Sequence, residues 1–417
     1  MPRHPLLLTV LAILHSLAAP PAIADVTPGA LLIYYGWPSG INGTFAVEPA
    51  AAEFARYDVV VLGDGLEKTD HPDHANTVAI LALVHASAST QVFGYVDLGV
   101  STQNLPLAEL TLRVDEWLAT GADGVFFDDF GYDYGTDRTR QNAAVAYAHG
   151  LALPVIANGW NPDDVFGDQV DPLHNPAGEP TQLGVADFYL SESYQVAVGA
   201  YQSEAAWIAK ANQLDAYRTA LGFGVLSITT NDAANVYSER AFFYAWHSAL
   251  LWGHAATGWG EYLFAASTGS APYRERPAVD AGAAFLSAVA DASPEYTRDT
   301  EAGRVMVNAA AHGYAFVPWS ASVEEPLDAA AGGLALAASP NPSRGGTTLH
   351  FTLPATSPLT VALYDVTGRQ AGPALRLAPR EAGEHSLRLE RGALPSGVYV
   401  CTLRAQGRSG SVKLVLD

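Results

Sequence analysis

Two adjacent carboxylates, Asp128 and Asp129, close the apolar run Val125–Phe127 and open a loop rich in Gly, Tyr and Asp that continues to Gly135. A carboxylate at the end of a buried segment costs free energy unless it is paired or used. At the C-terminal end of a parallel strand it stands where a barrel enzyme keeps its chemistry. The ends of the other apolar runs are polar too: Tyr34, Tyr35 and Trp37; Asp64; Tyr95 and Asp97; Asn158 and Trp160; Glu192; Thr230 and Asn231; Trp259 and Glu261. Aromatic faces can stack on pyranose rings, and amides and carboxylates can take the hydroxyls, so this set suits sugar binding.

Glycoside hydrolysis needs two carboxyl groups across the scissile bond, one supplying a proton and one acting as nucleophile or base. Side chains alternate along a strand, so Asp128 and Asp129 point to opposite sides and only one can face a barrel axis. They are therefore not the expected couple. The better partner for one of them is Glu192, in Phe188-Tyr-Leu-Ser-Glu-Ser193. The fourth and sixth strands are expected to face each other across the barrel mouth at carboxylate separations of about 5 to 9.5 Å. The bland readings are that Asp128 or Asp129 caps the next segment or pairs with Arg138 or Arg140, and that Glu192 is an ion-pair partner. Trp160 and Trp259 suit packing as well as stacking, and Asp64, Asp97 and Glu261 suit loop structure as well as substrate contact.

Other patterns are weaker. His71-Pro-Asp-His74 resembles a metal pair only loosely and lacks clear additional ligands. Asp129, Asp133 and Asp137 do not follow calcium-loop spacing. Ser191 and Ser193 lack a nucleophile-elbow context. No metal and no cofactor is expected.

The elements that must position these groups recur regularly. Strand-like apolar runs lie at 31–37, 58–65, 91–99, 124–130, 154–160, 187–194, 223–230 and 257–264. Helix-like stretches lie at 49–56, 73–86, 107–120, 138–150, 203–221 and 238–252. The apolar runs are continuous rather than alternating, as in strands buried on both faces. About eight strand–helix units predict an α/β fold, a (β/α)8 TIM barrel. A doubly wound sheet fits less well, because no Gly-rich dinucleotide fingerprint follows the first strand. Residues 161–182, rich in Pro, Asp and Gly, predict a long loop that could wall a cleft on the catalytic face. A final helix around 278–290 and two short strands within 296–320 are expected to flank the barrel. An Ala- and Gly-rich linker, 321–335, then leads to short alternating strands in 336–417, the pattern of a small β-sandwich.

Arg3 and His4 before an apolar stretch, with Ala22-Ile23-Ala24 as a small-residue cleavage site, predict a signal peptide over 1–24. The barrel domain is then assigned to 25–320. The apolar stretch is short for a membrane span, which needs about 20 residues. No later segment is long and apolar enough, so no transmembrane segment is expected. Cys401 is the single cysteine, which rules out disulfides within the chain. Residues 25–335 hold 12 basic and 38 acidic residues, whereas 336–417 hold nine basic and five acidic. Such an acidic body argues against nucleic acid or anionic membrane as a partner.

The block Gln91–Gly99 (QVFGYVDLG), Val114-Asp-Glu-Trp117 and Gly121–Asp129 resembles the spherulin-4-like glycosidases and the endo-α-1,4-polygalactosaminidase-like barrels. That resemblance implies a (β/α)8 barrel cleaving α-1,4-linked galactosamine-type polysaccharides, with an acid after the fourth strand and a Glu near the sixth. Carried over by position, these are Asp128 and Glu192. Asp129 stands where the spherulin-like pattern often has Glu. The other expected sugar contacts are Asp129, Tyr35, Trp37, Asp64, Tyr95, Asp97, Asn158, Trp160, Trp259 and Glu261. Near the C terminus, Ala338-Ser-Pro-Asn-Pro342, Thr347–Leu353, Val361–Arg369 and Leu394–Tyr399 resemble the sorting domain of type IX secretion substrates and the related hook-capping Ig-like module. This implies engagement with secretion machinery and a secreted or outer-membrane surface location. The expectation is thus an exported endo-acting glycoside hydrolase. The alternative is a non-catalytic surface carbohydrate-binding protein on the same scaffold.

Overall fold

The computed structural model describes residues 26–319, 334, 336–365, 371–372, 374–392, 394–405 and 408–416. The expected signal peptide lies outside the described residues, as does the expected linker apart from Leu334. The chain divides into two compact units between His312 and Gly313.

In the first unit, eight parallel strands close a barrel: β1 (Gly29–Tyr34), β2 (Val59–Leu62), β3 (Gln91–Asp97), β4 (Gly124–Asp128), β5 (Val155–Asn158), β6 (Phe188–Ser191), β9 (Gly224–Ile228) and β10 (Ala256–Gly258). The small hairpin β7 (Val196–Ala197) and β8 (Ala200–Tyr201) sits in the loop after β6. Around the ring the order is β1, β10, β9, β6, β5, β4, β3, β2, so each strand pairs with its neighbours in chain order and the barrel has no free edge. Connecting helices are α1 (Val47–Phe54), α2 (His74–Ser87), α3 (Leu107–Thr120), α4 (Arg138–Gly150), the one-turn α5 (Pro162–Phe166), α6 (Glu204–Leu221) and α7 (Glu239–Trp252). Several begin on a side-chain cap: Asp137, Ser203 and Ser238 accept the backbone N–H groups of Arg140, Ala206 and Ala241.

The strands are buried on both faces, and the two faces build two cores. Leu31, Ile33, Val59, Val61, Phe93, Phe126, Ile156, Leu190, Leu226 and Ile228 fill the barrel interior. The intervening residues, among them Leu32, Val60, Val92, Val125, Phe127, Val155 and Val225, pack outward under the helices. The α3–β3 contact shows how closely the layers approach. A Cβ on Gly94 would come within 2.1 Å of the Trp117 ring, and Trp117 Nε1 donates to the Tyr95 carbonyl at 2.9 Å. At the opposite end of the barrel, aspartates that precede even-numbered strands tie down the strand before. Asp58 accepts from Ala30 N at 2.6 Å, Asp123 from Val92 N at 2.8 Å and Asp187 from Val155 N at 2.9 Å. Those carboxylates therefore belong to the stability face of the barrel, away from the strand ends that carry chemistry.

Two expectations need correction. The loop over 161–182 is not free of helix: Asn161 caps a short turn whose first residue is Pro162, which suits a helix start. The final helix around 278–290 does not form. Gly282 takes a left-handed φ of 77°, and the segment spends its backbone groups on residues 299–302 instead. Leu286 N donates to Asp299 O at 2.8 Å, and Glu301 N donates to Ala284 O at 3.0 Å. Ala-rich composition favours a helix, but these long-range pairings override it. Antiparallel strands β11 (Ala290–Ala292), β12 (Glu295–Asp299) and β13 (Gly303–Asn308) follow.

The second unit opens with β14 (Gly313–Pro318) and continues as seven antiparallel strands: β15 (Leu336–Ser339), β16 (Gly346–Leu353), β17 (Ser357–Asp365), β18 (Leu375–Arg380), β19 (Gly383–Glu390), β20 (Gly397–Ala405) and β21 (Arg408–Leu416). They form a three-stranded sheet, β15-β16-β19, and a four-stranded sheet, β18-β17-β20-β21. Leu334, Leu349, Phe351, Val361, Cys401, Leu403 and Leu414 share the core between them, the plan of a small sandwich.

Candidate active site

Strand alternation decides which carboxylate enters the barrel. On β4, Phe126 fills the interior, so Asp128 two residues on faces the same way at the C-terminal end. The same parity carries Tyr95 beyond Phe93, Asn158 beyond Ile156, Glu192 beyond Leu190 and Tyr35 beyond Ile33. One inward row at the mouth thus holds Tyr35, Tyr95, Asp128, Asn158 and Glu192.

Asn158 joins the two acids. Its Nδ2 donates to Asp128 Oδ1 at 2.9 Å and to Glu192 Oε2 at 3.0 Å. Those two oxygens can stand no further apart than the two bonds laid end to end, about 5.9 Å. The expectation that strands four and six face each other across the mouth is corrected by the ring order. β4 and β6 flank β5 on one side of the barrel, and the residue between them supplies the shared amide.

The site is electrostatically strained. Burial, reinforced by Glu192, pushes the Asp128 carboxyl up to about 6, against the pull of the Asp129 N–H, Asn158 and Tyr95. Burial likewise raises Glu192, opposed by Asn158 and by the ammonium of Lys210. Tyr35 and Tyr95 are held well above the ordinary phenol range by burial, with Asp128 the first charge adding to it in each case. Asp129 sits at φ 54°, a left-handed conformation in which the alternation of β4 ends. Burial and then Asp128 raise it to about 6.

Neither Arg138 nor Arg140 pairs with these acids. Arg138 donates to the carbonyls of Val165 at 2.7 Å and Gly167 at 2.8 Å, bracing the loop after α5. Arg140 donates to the carbonyls of Leu98 and Leu105, both at 2.7 Å. The cation that bears on Glu192 is Lys210, a residue sequence reasoning missed. It reaches back from α6, its Nζ 5.7 Å from the Trp160 ring centroid and 5.9 Å from that of Tyr189. Burial lowers it to about 8 although Glu192 pulls the other way. A lysine on a helix reads as a solvated charge, and nothing local in the sequence marks it otherwise.

The remaining sequence candidates fall into two groups. Trp37 and Trp160 stand exposed on the rim, and Asp64 pairs with His71 at 3.6 Å beside Trp37. Asp97 is buried and holds its own loop, accepting from Gly99 N at 2.8 Å and Thr102 Oγ1 at 2.7 Å. Trp259 is buried against Tyr237 and Phe242, and Glu261 is buried in an ion pair with Arg274 at 2.6 Å. The structure thus gathers Asp128, Glu192, Asn158, Tyr35, Tyr95 and Asp129, and gives Asp97, Trp259 and Glu261 partners of their own.

Lys210 also makes a testable electrostatic claim. Its ammonium favours the ionised form of Glu192 and so lowers that group's pKa. Lys210→Met should therefore raise it, moving the alkaline limb of the rate profile to higher pH by about one unit if Glu192 must be protonated to act. A limb that stays in place or moves to lower pH in the pH–rate profile would contradict this.

Residues 338–417 match the family model of the secretion system C-terminal sorting domain. The molecule is thus an eight-stranded parallel (β/α)8 barrel followed by a type IX secretion sorting domain. This sorting domain engages the secretion system and makes the protein a secreted or cell-surface one. Among the described residues no helix is long and apolar enough to cross a membrane.

Among solved structures, an engineered protein is 13% identical with a TM-score of 0.37, the alignment covering 93% of each chain. Dihydropteroate synthase from Coxiella burnetii is 14% identical over 56% of this chain and 87% of that one, with a TM-score of 0.33. The carboxyl transferase domain of Rhizobium etli pyruvate carboxylase is 11% identical over 56% of this chain and 40% of that one, with a TM-score of 0.36. None of these likenesses bears on activity. No curated protein matches the chain.

Proposed function

We propose that the barrel is an endo-acting glycoside hydrolase that cleaves an α-1,4-linked galactosamine-type polysaccharide with retention of configuration. Asp128 is the nucleophile and Glu192 the acid–base. The observation that carries this reading is the amide of Asn158 bonded to both carboxyl groups. It holds one oxygen of each no more than about 5.9 Å from the other, which is compatible with the ~5–5.5 Å of retaining enzymes and short of the ~6.5–9.5 Å that leaves room for an inverting water.

The roles follow from what surrounds each group. Asp128 receives the Asn158 amide, the Asp129 N–H and the Tyr95 hydroxyl. All three bonds suit an ionised carboxylate. Two buried acids this close resist ionising together. The charge of Glu192 raises Asp128, but three donors hold Asp128 ionised against one donor and the Lys210 ammonium at Glu192, so we assign the retained proton to Glu192. With one Glu192 oxygen bonded to Asn158, the other is free to carry that proton to the leaving oxygen. In the first step an Asp128 oxygen attacks the anomeric carbon as the C–O bond to the leaving sugar breaks and Glu192 protonates the departing oxygen. In the second, Glu192 takes a proton from water, whose oxygen displaces Asp128 from that carbon. Both steps pass through a cationic sugar, which the buried carboxylates stabilise.

The stereochemistry of the first product tests this. Proton NMR of a digest begun on α-linked polymer should show the α-anomer of the new reducing end before mutarotation. First appearance of the β-anomer would contradict the assignment.

A further inference from the structure

The carboxylate pair occupies one side of the barrel mouth, between β4 and β6, so what lies on the far side determines how much of a polymer the mouth can hold. Trp37 follows β1 and Trp160 follows β5, and these two strands stand four places apart in the ring of eight, diametrically opposed. A ring of eight strands spaced about 4.8 Å and tilted about 36° is about 15 Å across. Both indoles are half exposed, Trp37 at 50% and Trp160 at 49%.

Exposed tryptophans are uncommon enough to ask what holds them there, and each of these is braced. Trp37 meets the His71 ring edge-on at 5.4 Å, and its carbonyl accepts from the Tyr34 hydroxyl at 3.1 Å. Its loop is pinned by Asp73, which accepts from Ser39 N at 2.9 Å and Ser39 Oγ at 2.6 Å. Trp160 Nε1 donates to the Tyr134 hydroxyl at 2.9 Å, and the Lys210 ammonium lies over its ring at 5.7 Å. A large apolar face fixed toward solvent costs little conformational entropy to cover, which is the property of a stacking platform. Indole faces and the apolar faces of pyranose rings are matched in this respect.

We infer that Trp37 and Trp160 are the two ends of one saccharide cleft that crosses the barrel mouth and holds a linear chain of several sugar units. Trp160 holds the unit beside the Asp128–Glu192 pair, and Trp37 holds a distant one across the mouth. The inference rests on the glycosidase reading for its occupant, an α-1,4-linked galactosamine-type chain. It adds that the cleft is lopsided, with cleavage nearer the Trp160 end.

The test is calorimetric titration of the full secreted chain carrying Asp128→Asn with a graded series of α-1,4-linked galactosamine oligomers. Affinity should climb with length until the chain spans both platforms and then level off. Trp160→Ala should weaken every oligomer, whereas Trp37→Ala should weaken only the long ones, each by about tenfold. Trp37→Phe, which keeps an aromatic face, should recover most of the loss, and thermal melts of each variant check that the fold is kept. Affinity independent of length, long-oligomer binding unaffected by Trp37→Ala, or no binding at any length would overturn the cleft. Length- and Trp-dependent binding by a wild-type chain that releases no reducing ends would leave the cleft standing and remove the glycosidase reading. Release of reducing ends with no effect of either Trp would do the reverse.

Discussion

Asp128→Asn should lower turnover on the polymer by a factor on the order of 10⁴ or more, because it removes the group that forms the covalent bond to the sugar. The substitution keeps the size of the side chain and the position of Oδ1, so the Asn158 contact can persist and the thermal midpoint should change little. It also removes a buried negative charge from beside Glu192, which is raised chiefly by its own burial. Glu192→Gln should fall by a comparable factor on substrates with poor leaving groups and by less where the leaving group needs no proton. The two variants can be told apart chemically. Azide should restore turnover when the acid–base is missing and yield a glycosyl azide of retained configuration. With the nucleophile truncated, as in Asp128→Gly, azide should give the inverted product. Azide products of the opposite pattern would exchange the two roles.

Asn158→Leu should have the next largest effect, a loss of about 10²–10³-fold in kcat, the size expected when a catalytic donor is removed from a water-poor site. One Nδ2 is bonded to both carboxyl groups, and it lowers the pKa of each. Without it both acids lose a donor that favours their ionised forms, so both are pushed further up. The sign is fixed: the acid limb, which reports ionisation of the nucleophile, should move to higher pH. Initial rates across pH 4 to 9 would measure this, and a profile displaced to lower pH would mean that the amide is not a donor to both carboxyl groups.

The barrel was legible because its strands are buried on both faces. Residues such as Val59–Leu62 and Val125–Phe127 are apolar without alternation, and only a parallel sheet covered by helices gives a use to both rows. The helix bounds 107–120 and 138–150 agree with the structure, where left-handed Gly121 ends α3 and the Asp137 side chain caps α4. The segment 278–290 misled because its alanines suit a helix, while its true partner, 299–302, is a neighbour that no local pattern announces. Asp128 and Glu192 stood out through their positions at strand ends. Their arrangement did not: in a barrel whose strands pair in chain order β5 lies between β4 and β6, so the two acids share one side of the mouth, but which side chain joins them is set by contacts that no local pattern shows. Asn158 was expected as a sugar contact; its place between two carboxyl groups depends on β5 lying between β4 and β6. Lys210 was missed for the same reason, because its role depends on burial against Trp160 and Tyr189. Trp259 and Glu261 carry the right chemistry at the right strand end, yet Phe242, Tyr237 and Arg274 from neighbouring segments engage them.

On this proposal Asp128 and Glu192 act together on a glycosidic bond. The most direct test is release of reducing ends from partly deacetylated galactosaminogalactan by the secreted chain and its Asp128→Asn variant, side by side. The wild-type chain should release reducing ends steadily and the variant none above background. Equal release by both, or none by the wild-type chain, would contradict it.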